Sequence, residues 1–526
     1  MARKLKYPIG IETFSDIIEG GYVYVDKTSY IPMLLDSGKQ YFLSRPRRFG
    51  KSLFVSTLQA YFEGRRELFK GLDIDKEEDL DWTQRPVFKF SLNAVDAFSE
   101  ESLTDYLNDS LLLYELKYGR ESELKTLSQR FVYLLMRAYE ETGRKAVVLI
   151  DEYDAPLLST LDKMVLNNSY RNTLKAFFSV LKKSDELIHF AFITGISRFS
   201  HTSLFSGANH LNDISYDEDY AAICGITEEE LHRYMSDAVL EYANKKKITS
   251  EEAFGILKEN YDGYHFCAYS PDIYNPYSLL KAFFSKSVEN FWFRTGTPSY
   301  LLEVMKRDNF FLPNLDCMES SQGGLSVKES YLNDPVALLF EAGYATIKSY
   351  DDEKMLYKLG LPNKEVSESF SCALLPIYSG YQARDCDDRF YKMRSAVIDG
   401  EAERFMELLK TFLEGNPYGN TEMTKRETYF KNNIFLIFKA LGFRPRVEEQ
   451  TCRARMDIMM ETRRYVYIFE LKTDGKVEEA AGQIEEKGYA DPYRHTGKTL
   501  IKIAANYTSS LNNIDTWTIE REVPDM

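Results

Sequence analysis

The stretch that decides the fold of this 526-residue chain runs from Tyr41 to Ser52 and reads YFLSRPRRFGKS. It opens with apolar residues, continues through a basic loop to Gly50-Lys51-Ser52, and is followed by a helical pattern of apolar residues that starts at Leu53. Such a pattern predicts a strand, then a loop, then a helix.

The end of this stretch matches part of a phosphate-binding loop. Such a loop directs backbone N–H groups at phosphates and places a Lys on the β/γ oxygens and a hydroxyl on Mg²⁺. The last three letters of G-x-x-x-x-G-K-[ST] are present, whereas Arg45 stands at the first glycine, where Pro46 could fix another turn. The predicted nucleotide-binding residues are Arg45, Arg47, Arg48, Gly50, Lys51 and Ser52, with Ser52 also a metal ligand. A chance triplet in a solvated basic patch is the alternative.

A second element strengthens the prediction of a nucleotide site. The buried-type strand Val147–Ile150 is followed directly by Asp151 and Glu152, as in a Walker B element. We expect Asp151 to hold Mg²⁺ through water and Glu152 to polarise the water that attacks the γ-phosphate. Alone, an apolar strand followed by two acids is more often a solvated strand end.

The next apolar strand ends in two further candidates. Thr194 could sense the γ-phosphate, and Arg198 could reach it in cis or across a subunit contact. An ordinary cap between strand and loop explains both residues equally well.

The order of patterns predicts an α/β architecture. Apolar runs are separated by segments long enough for crossover helices, as a parallel sheet requires. We expect a P-loop NTPase sheet in residues 1–225, a helical lid-like or winged-helix-like region in 226–290, a mixed and mainly helical connection in 291–415, and an α/β domain in 416–526. A capping box at Thr227 begins the helical region, and a hairpin is expected around Ala345–Ile347 and Tyr357–Leu359.

Composition limits the class of protein. The chain is 44% hydrophobic and 28% charged, with a formal net charge of −15, which argues against a generally basic nucleic-acid coat. The acidic excess lies entirely in residues 1–420, because acidic and basic residues balance in 421–526. The six cysteines form no C-x-x-C pair, and neither an export signal nor a membrane span is evident, so we expect a cytoplasmic protein.

The C-terminal region carries a second constellation. Period-two alternation puts Glu470 and Lys472 on one face of the strand that starts at Tyr465, and Asp457 ends the preceding strand-like run. Two carboxylates on adjacent strands can hold a divalent cation, and a Lys can position or deprotonate a water for phosphodiester attack. A solvated ion pair is the alternative for Glu470 and Lys472 alone.

Neighbouring residues fit this constellation. Helical spacing lets Gln483 point toward the site. Four arginines at even spacing could contact phosphates, or form a solvated strand face: Arg444, Arg446, Arg453 and Arg455. No Cys/His cluster supports zinc.

Two resemblances follow from these residues. The C-terminal pattern resembles the PD-(D/E)XK nuclease core, and Glu427 matches the accessory acid of such nucleases. The whole chain resembles prokaryotic AAA-ATPase-like proteins in which a P-loop domain precedes a nuclease-like domain. The segments that carry this second resemblance are Tyr24–Thr28, Arg45–Leu53, Asp151–Asp154, Tyr261–Phe266, Tyr274–Ser278 and Gly343–Ile347.

The resemblance implies ATP binding, with Mg²⁺ as the second cofactor. We therefore expect an ATP-binding and ATP-hydrolysing protein coupled to a Mg²⁺-dependent nuclease module that acts on nucleic acid, with an oligomer compatible with the sequence. The alternative is a nucleotide-switched signalling or nucleic-acid-binding protein whose nuclease-like domain does not cleave.

Overall fold

The computed structural model describes residues 5–161, 163–198, 211–293, 299–308, 310–325, 335–379, 386–414, 423–450, 455–508, 510–511 and 513–524. The chain divides into two compact units. The first contains Met1–Trp292 and Met318–Asn363, and the second contains Phe293–Cys317 and Lys364–Met526. The predicted segment 226–290 lies within the first unit and 291–415 is divided between the two, while the four-domain division itself stays a prediction.

A parallel sheet in the order β2-β3-β4-β1-β5 is the centre of the first unit within the described residues. Its strands are β1 (Gln40–Ser44), β2 (Val87–Ser91), β3 (Ala146–Asp151), β4 (Ile188–Gly195) and β5 (Asn212–Asp213). Every residue of β1 and β3 is buried, as expected for strands covered on both faces. The predicted parallel α/β fold is thereby confirmed.

Helices precede, connect and cover these strands. They are α1 (Phe14–Glu19), α2 (Tyr30–Ser37), α3 (Lys51–Phe62), α4 (Glu100–Tyr118), α5 (Leu127–Thr142), α6 (Ala155–Leu158) and α7 (Met164–Lys183). Register pairs Ser44 with Gly195 and Ile150 with Ile193. The carboxyl ends of β1, β3 and β4 therefore lie side by side, and the residues that follow them meet at one edge of the sheet.

A helical region follows the sheet. It contains β6 (Ile226–Thr227), α8 (Glu228–Lys246), α9 (Ser250–Tyr261), β7 (Ile273–Tyr274) and α10 (Pro276–Ser285). The predicted capping box is confirmed, because the Thr227 hydroxyl accepts the Glu230 N–H at 3.2 Å and the Glu230 carboxylate accepts the Thr227 N–H at 2.8 Å. Leu231, Met235 and Leu257 belong to the apolar core of this region.

The predicted hairpin is also present. It joins a third strand in the antiparallel order β8-β10-β9 within the described residues. The elements of this part of the first unit are β8 (Met318–Ser321), α12 (Pro335–Glu341), β9 (Thr346–Asp351) and β10 (Leu356–Gly360), and α11 (Ser299–Arg307) belongs to the second unit.

The second unit contains a mixed sheet in the order β11-β12-β13-β14-β15 within the described residues. Its strands are β11 (Arg446–Gln450), β12 (Arg455–Glu461), β13 (Tyr465–Thr473), β14 (Thr499–Thr508) and β15 (Asn513–Glu522). Its helices after α11 are α13 (Lys364–Ser379), α14 (Cys386–Asp399), α15 (Ala402–Glu414), α16 (Met423–Ala440) and α17 (Val477–Glu486). Among the described strands of this sheet, only β13 and β14 pair in parallel, across the connection that contains α17. The predicted order of helix, strands, helix and strand is confirmed, and β15 is an additional edge strand.

None of the helices in the described part of the chain has the length and apolar character that crossing a membrane requires.

Candidate functional site

The loop between β1 and α3 has the backbone of an anion-binding turn. Arg48 and Gly50 have φ angles of 67° and 98°, both in the left-handed region, and α3 begins at Lys51. The N–H groups of the first helical turn have no partner within the helix and carry the positive end of its dipole. Glycine is needed at position 50 because an L side chain is strained at this φ. Ser52 is half-buried in the first turn.

Lys51 lies folded against its own loop. The side chain is buried, and Nζ donates to the carbonyl oxygens of Arg45 at 2.9 Å and Pro46 at 3.1 Å. These two neutral acceptors leave the ammonium charge without a carboxylate at hydrogen-bonding distance among the described residues. An anion in the loop would complete this environment.

Arg45 has a different environment from the one expected of a phosphate ligand. It is 1% exposed, and its guanidinium donates to the carbonyls of Ser215 at 2.8 Å and Tyr220 at 3.0 Å. The same group lies 4.3 Å from the ring centroid of Phe266. These contacts hold the start of the loop against Ser215, Tyr220 and Phe266. None of the described contacts of Arg45 supports its assignment to nucleotide binding, which stays a prediction.

The other two arginines lie nearer to solvent. Arg47 is exposed, and its carbonyl accepts the indole N–H of Trp292 at 3.1 Å. The Arg48 guanidinium lies 3.6 Å from a carboxylate oxygen of Glu12 and over the ring of Tyr277. Their contribution to phosphate binding stays a prediction.

Asp151 at the end of β3 and Glu152 directly after it both contact one hydroxyl of β4. Thr194 is fully buried, and its hydroxyl donates to Asp151 Oδ1 at 2.6 Å and accepts the Glu152 N–H at 3.3 Å. Asp151 therefore has a fixed carboxylate at the sheet edge, and α3, which carries Lys51, packs against β3. Thr194 and Asp151 are therefore neighbours, and the role of Thr194 in sensing a γ-phosphate stays a prediction.

Glu152 is held in an unusual backbone conformation. Its φ of 52° is in the left-handed region, where non-glycine residues are strained and are often functional. Burial raises the pKa of its carboxyl, the nearby Asp151 adds to this, and the positive charge of Lys51 opposes it. Glu152 and Lys51 thus lie close enough to influence each other.

Arg198 is engaged by acids within the first unit. Its Nε donates to Asp213 Oδ2 at 2.7 Å, its backbone N–H to Glu341 Oε1 at 3.1 Å, and its guanidinium covers the ring of Tyr216. Reaching a γ-phosphate would require the guanidinium to leave Asp213, so this role stays a prediction.

An apolar cavity adjoins the phosphate-binding loop. The space between its walls is about 580 Å³, and this volume includes open solvent. Gly50 and Leu53 line it from the loop and α3, and Val25, Met235 and Leu280 line it from other elements. Its charged lining residue, Lys27, is already paired with Glu230 at 2.5 Å.

Two aromatic segments cover the loop, and sequence reasoning gave them no role. The Phe49 ring packs edge-on against Tyr264 and Phe266, with centroids 4.8 and 5.4 Å apart. At Gly343, where φ is 85°, an added Cβ would lie 2.6 Å from Pro46 Cβ, so only glycine permits this approach. The sequence did contain a signal, because the two segments, Tyr261–Phe266 and Gly343–Ile347, both carry the family resemblance. It could not show that they lie close to the loop.

The second candidate site lies on β12 and β13. Ile458 pairs with Phe469, which sets Asp457 opposite Glu470 on the antiparallel neighbour. Asp457 Oδ2 accepts the Leu471 N–H at 2.9 Å, and Lys472 Nζ lies 3.4 Å from Glu470 Oε1. The two acids and the lysine that the sequence predicts to act together are therefore adjacent.

Glu470 has an electrostatic environment that disfavours its charge. It is 2% exposed, and its Oε2 has no hydrogen-bond partner among the described residues. Burial and the neighbouring Asp457 raise the pKa of Glu470 to about 7, while Lys472 opposes the shift. A buried carboxylate oxygen without a donor is suited to a bound cation, which would supply the missing positive charge.

Gln483 joins this centre from α17. Lys472 Nζ donates to Gln483 Oε1 at 2.5 Å, and Gln483 Nε2 donates to the hydroxyl of the buried Tyr489 at 3.1 Å. The orientation predicted for Gln483 is thus observed. Tyr489 was missed, since nothing in the sequence separates it from the many other tyrosines.

The remaining predicted residues have fewer described features. Glu427 lies in α16, but its side chain is outside the described residues, as are those of Arg453 and Arg455, whereas Arg446 is exposed at the start of β11. Within the described residues, no three His, Cys, Asp or Glu side chains are grouped so that they could hold a metal. Two carboxylates suffice for Mg²⁺, which usually keeps several waters when bound.

Comparison with known proteins defines the class. Residues 8–205 match the family model of a predicted AAA-ATPase, and residues 425–517 match that of the PD-(D/E)XK nuclease superfamily. The chain belongs to the family of AAA-ATPase-like proteins that end in a PD-(D/E)XK nuclease superfamily domain, as the resemblance predicts. It is 33% identical to an uncharacterized protein in the vnfD 5′ region of Azotobacter chroococcum mcd 1, over 533 aligned residues that cover 99% of each chain.

Proposed function

We propose that this protein binds and hydrolyses ATP in its first unit and cleaves the phosphodiester backbone of nucleic acid, with Mg²⁺, in its second. The nucleotide state of the first unit regulates the nuclease. The observation that carries the proposal is the buried Glu470 beside Asp457 and Lys472. Its Oε2 has no hydrogen-bond partner in the described part of the chain, which fits a cation-dependent hydrolytic centre.

The nucleotide half rests on the surroundings of Lys51. Its ammonium donates to two carbonyls and has no carboxylate partner among the described residues. When ATP binds, the ammonium would contact the β/γ-phosphates instead. Ser52 and Asp151 would hold the Mg²⁺ that neutralises phosphate charge. Glu152 would orient the attacking water, with Thr194 fixing the neighbouring Asp151.

The nucleobase has a place next to this loop. A nucleotide whose phosphates lie at Gly50–Ser52 would direct its base into the adjoining cavity, where Leu53, Met235 and Leu280 offer apolar surface. Because Lys27 is already paired with Glu230, the base would be bound through burial of its apolar surface and not through a contact with the Lys27 charge.

The nuclease half uses three side chains in distinct roles. Asp457 and Glu470 would bind the cation, and Lys472 would position or deprotonate the attacking water while Gln483 orients its ammonium. Bound Mg²⁺ would act as a Lewis acid on the phosphodiester and lower the pKa of its water. Basic side chains of the unit, among them Arg444, would contact phosphates without selecting a base sequence.

The nuclease proposal predicts the loss of cleavage without the loss of binding. Asp457→Ala and Glu470→Ala should each abolish cleavage of single- or double-stranded DNA or RNA in Mg²⁺ or Mn²⁺ with ATP. The double variant should be no worse than either alone, since the acids act as one unit. Nucleic-acid binding, measured by fluorescence anisotropy, should persist or strengthen slightly, because a charge that repels phosphates is removed, and it should weaken with salt.

Wild-type protein that shows no cleavage sensitive to these substitutions would refute the nuclease half and leave a binding-only domain.

We also place the protein in the reducing cytoplasm, because its six cysteines form no C-x-x-C pair.

A further inference from the structure

The segment after β3 is bound to residues 194–197, which comprise the end of β4 and the bend that follows it and are called the turn below. Asp154 is fully buried, and its Oδ2 accepts the N–H of Ile196 at 3.0 Å and the N–H and hydroxyl of Ser197 at 2.6 and 2.7 Å. The Tyr153 N–H donates to the Thr194 carbonyl at 2.9 Å, and its hydroxyl donates to the Ser197 carbonyl at 2.9 Å.

The close approach requires glycine between these residues. A Cβ at Gly195 would lie 2.5 Å from a ring carbon of Tyr153 and 2.9 Å from Asp154 Oδ1. Tyr153 and Asp154 thus fix the turn 194–197 by packing as well as by hydrogen bonds.

The same turn contacts the start of the phosphate-binding loop. The Arg45 N–H donates to the Gly195 carbonyl at 3.2 Å, and the Ser44 hydroxyl donates to the Ile196 carbonyl at 2.5 Å. At its first residue, the Thr194 hydroxyl holds Asp151. The turn therefore lies between the loop that would receive phosphates and the acids that would act on them.

The carboxylate of Asp154 is directed at the turn. It is fully buried, and among the described residues its hydrogen-bond donors are the N–H groups of Ile196 and Ser197 and the Ser197 hydroxyl. These hydrogen bonds connect Asp154 to the acids through the turn.

We propose that Asp154 is a positioning residue for ATP hydrolysis, which holds the turn 194–197 so that the Thr194 hydroxyl fixes Asp151 at the sheet edge. This inference rests on the proposed ATPase activity. It predicts that substitution of Asp154 slows ATP turnover and has little effect on nucleotide affinity.

The test compares Asp154→Ala with Asp154→Asn in the full chain, by steady-state ATP turnover and by calorimetric ATP affinity. Asp154→Ala should lower kcat at least about tenfold and change Kd by less than about threefold. Asp154→Asn should restore kcat to within about threefold of wild type, because an amide oxygen can still accept from Ile196 and Ser197. A residue with a chemical role would not be rescued by Asn.

Single-bond variants keep the proposal testable if Asp154→Ala does not fold. Ser197→Ala and Tyr153→Phe each remove one hydroxyl and leave the backbone bonds, and each should lower kcat about two- to fivefold with Kd unchanged. The inference would be overturned by wild-type kcat in these variants, by an Asn variant as impaired as Ala, or by a Kd for ATP that rises as kcat falls. If the wild-type protein binds ATP tightly but does not hydrolyse it, the proposed hydrolysis is refuted, and the inference with it.

Discussion

At the scale of single residues, two buried cations of one loop have different hydrogen-bond partners. Lys51 and Arg45 are both buried cations of one loop, but Lys51 contacts two carbonyls of that loop, whereas Arg45 contacts carbonyls of residues 215 and 220. The sequence correctly predicted that Lys51 lies at the start of a helix, because the G-K-S pattern is local. It could not predict the environment of Arg45, since the Ser215 and Tyr220 carbonyls that accept from it lie 170 and 175 positions away.

Removing the Lys51 charge should weaken ATP binding. Lys51→Ala should raise the Kd for ATP by about one to two decades, because a charge-assisted contact of roughly 1.5–3 kcal/mol is lost. Isothermal titration calorimetry measures this directly. Lys39→Ala, at the opposite end of β1, removes a surface charge paired with Asp185 and should leave Kd unchanged. Equal affinity in wild type and Lys51→Ala would show that the phosphates bind elsewhere.

Glu152 should affect hydrolysis and spare binding. Glu152→Gln keeps the size of the side chain but removes the carboxylate that would orient water, so bound ATP should persist without turnover. The measurement is release of inorganic phosphate together with retention of labelled ATP on the isolated protein. Turnover at the wild-type rate in this variant would remove Glu152 from the mechanism.

At the scale of elements, long periodic segments could be predicted and short or context-dependent ones could not. The strands β1 to β4, the hairpin β9–β10 and the helix start at Thr227 follow from local pattern. Strand β5 has two residues and no periodicity, and it forms because it pairs with β1. The missed strand β15 did carry a signal in the β-branched and aromatic run Thr516–Ile519.

The loop after α9 contains a buried acid whose charge is unfavourable. Asp262 is 2% exposed, neither carboxylate oxygen has a hydrogen-bond partner among the described residues, and Lys258 Nζ lies 3.9 Å away. Burial, with a smaller effect of Asp272, raises the pKa of Asp262 to about 7. The folded protein therefore binds this proton more tightly than the unfolded chain, and the free energy of unfolding decreases as pH rises from about 4 to about 7.

Asp262→Asn should remove this pH dependence. Between pH 6 and 8 the stability of the variant relative to wild type should increase by about 1 kcal/mol, since wild type must deprotonate a buried carboxyl. Urea unfolding of both proteins at several pH values gives the difference, in which the other titrating groups cancel. Stability curves that stay parallel would mean that Asp262 titrates normally.

At the scale of the whole molecule, charge is distributed unequally along the chain. The acidic excess is confined to residues 1–420, and the balanced segment 421–526 contains the Asp457–Glu470–Lys472 centre. This distribution supports the proposal that a polyanion binds within residues 421–526. Sequence patterns were enough to pair the two acids with Lys472. They could not predict that Glu470 is buried, which depends on packing within the second unit.

The most direct measurement is nicking of supercoiled plasmid in Mg²⁺, with and without ATP, by wild type, Lys472→Ala and Lys51→Ala. We predict that wild type nicks the plasmid and that ATP changes the rate. Lys472→Ala should bind ATP normally but not nick, and Lys51→Ala should nick at a rate that does not respond to ATP. Wild-type protein that leaves the plasmid intact under all these conditions, or nicks it equally with Lys472→Ala, would contradict an ATP-regulated nuclease.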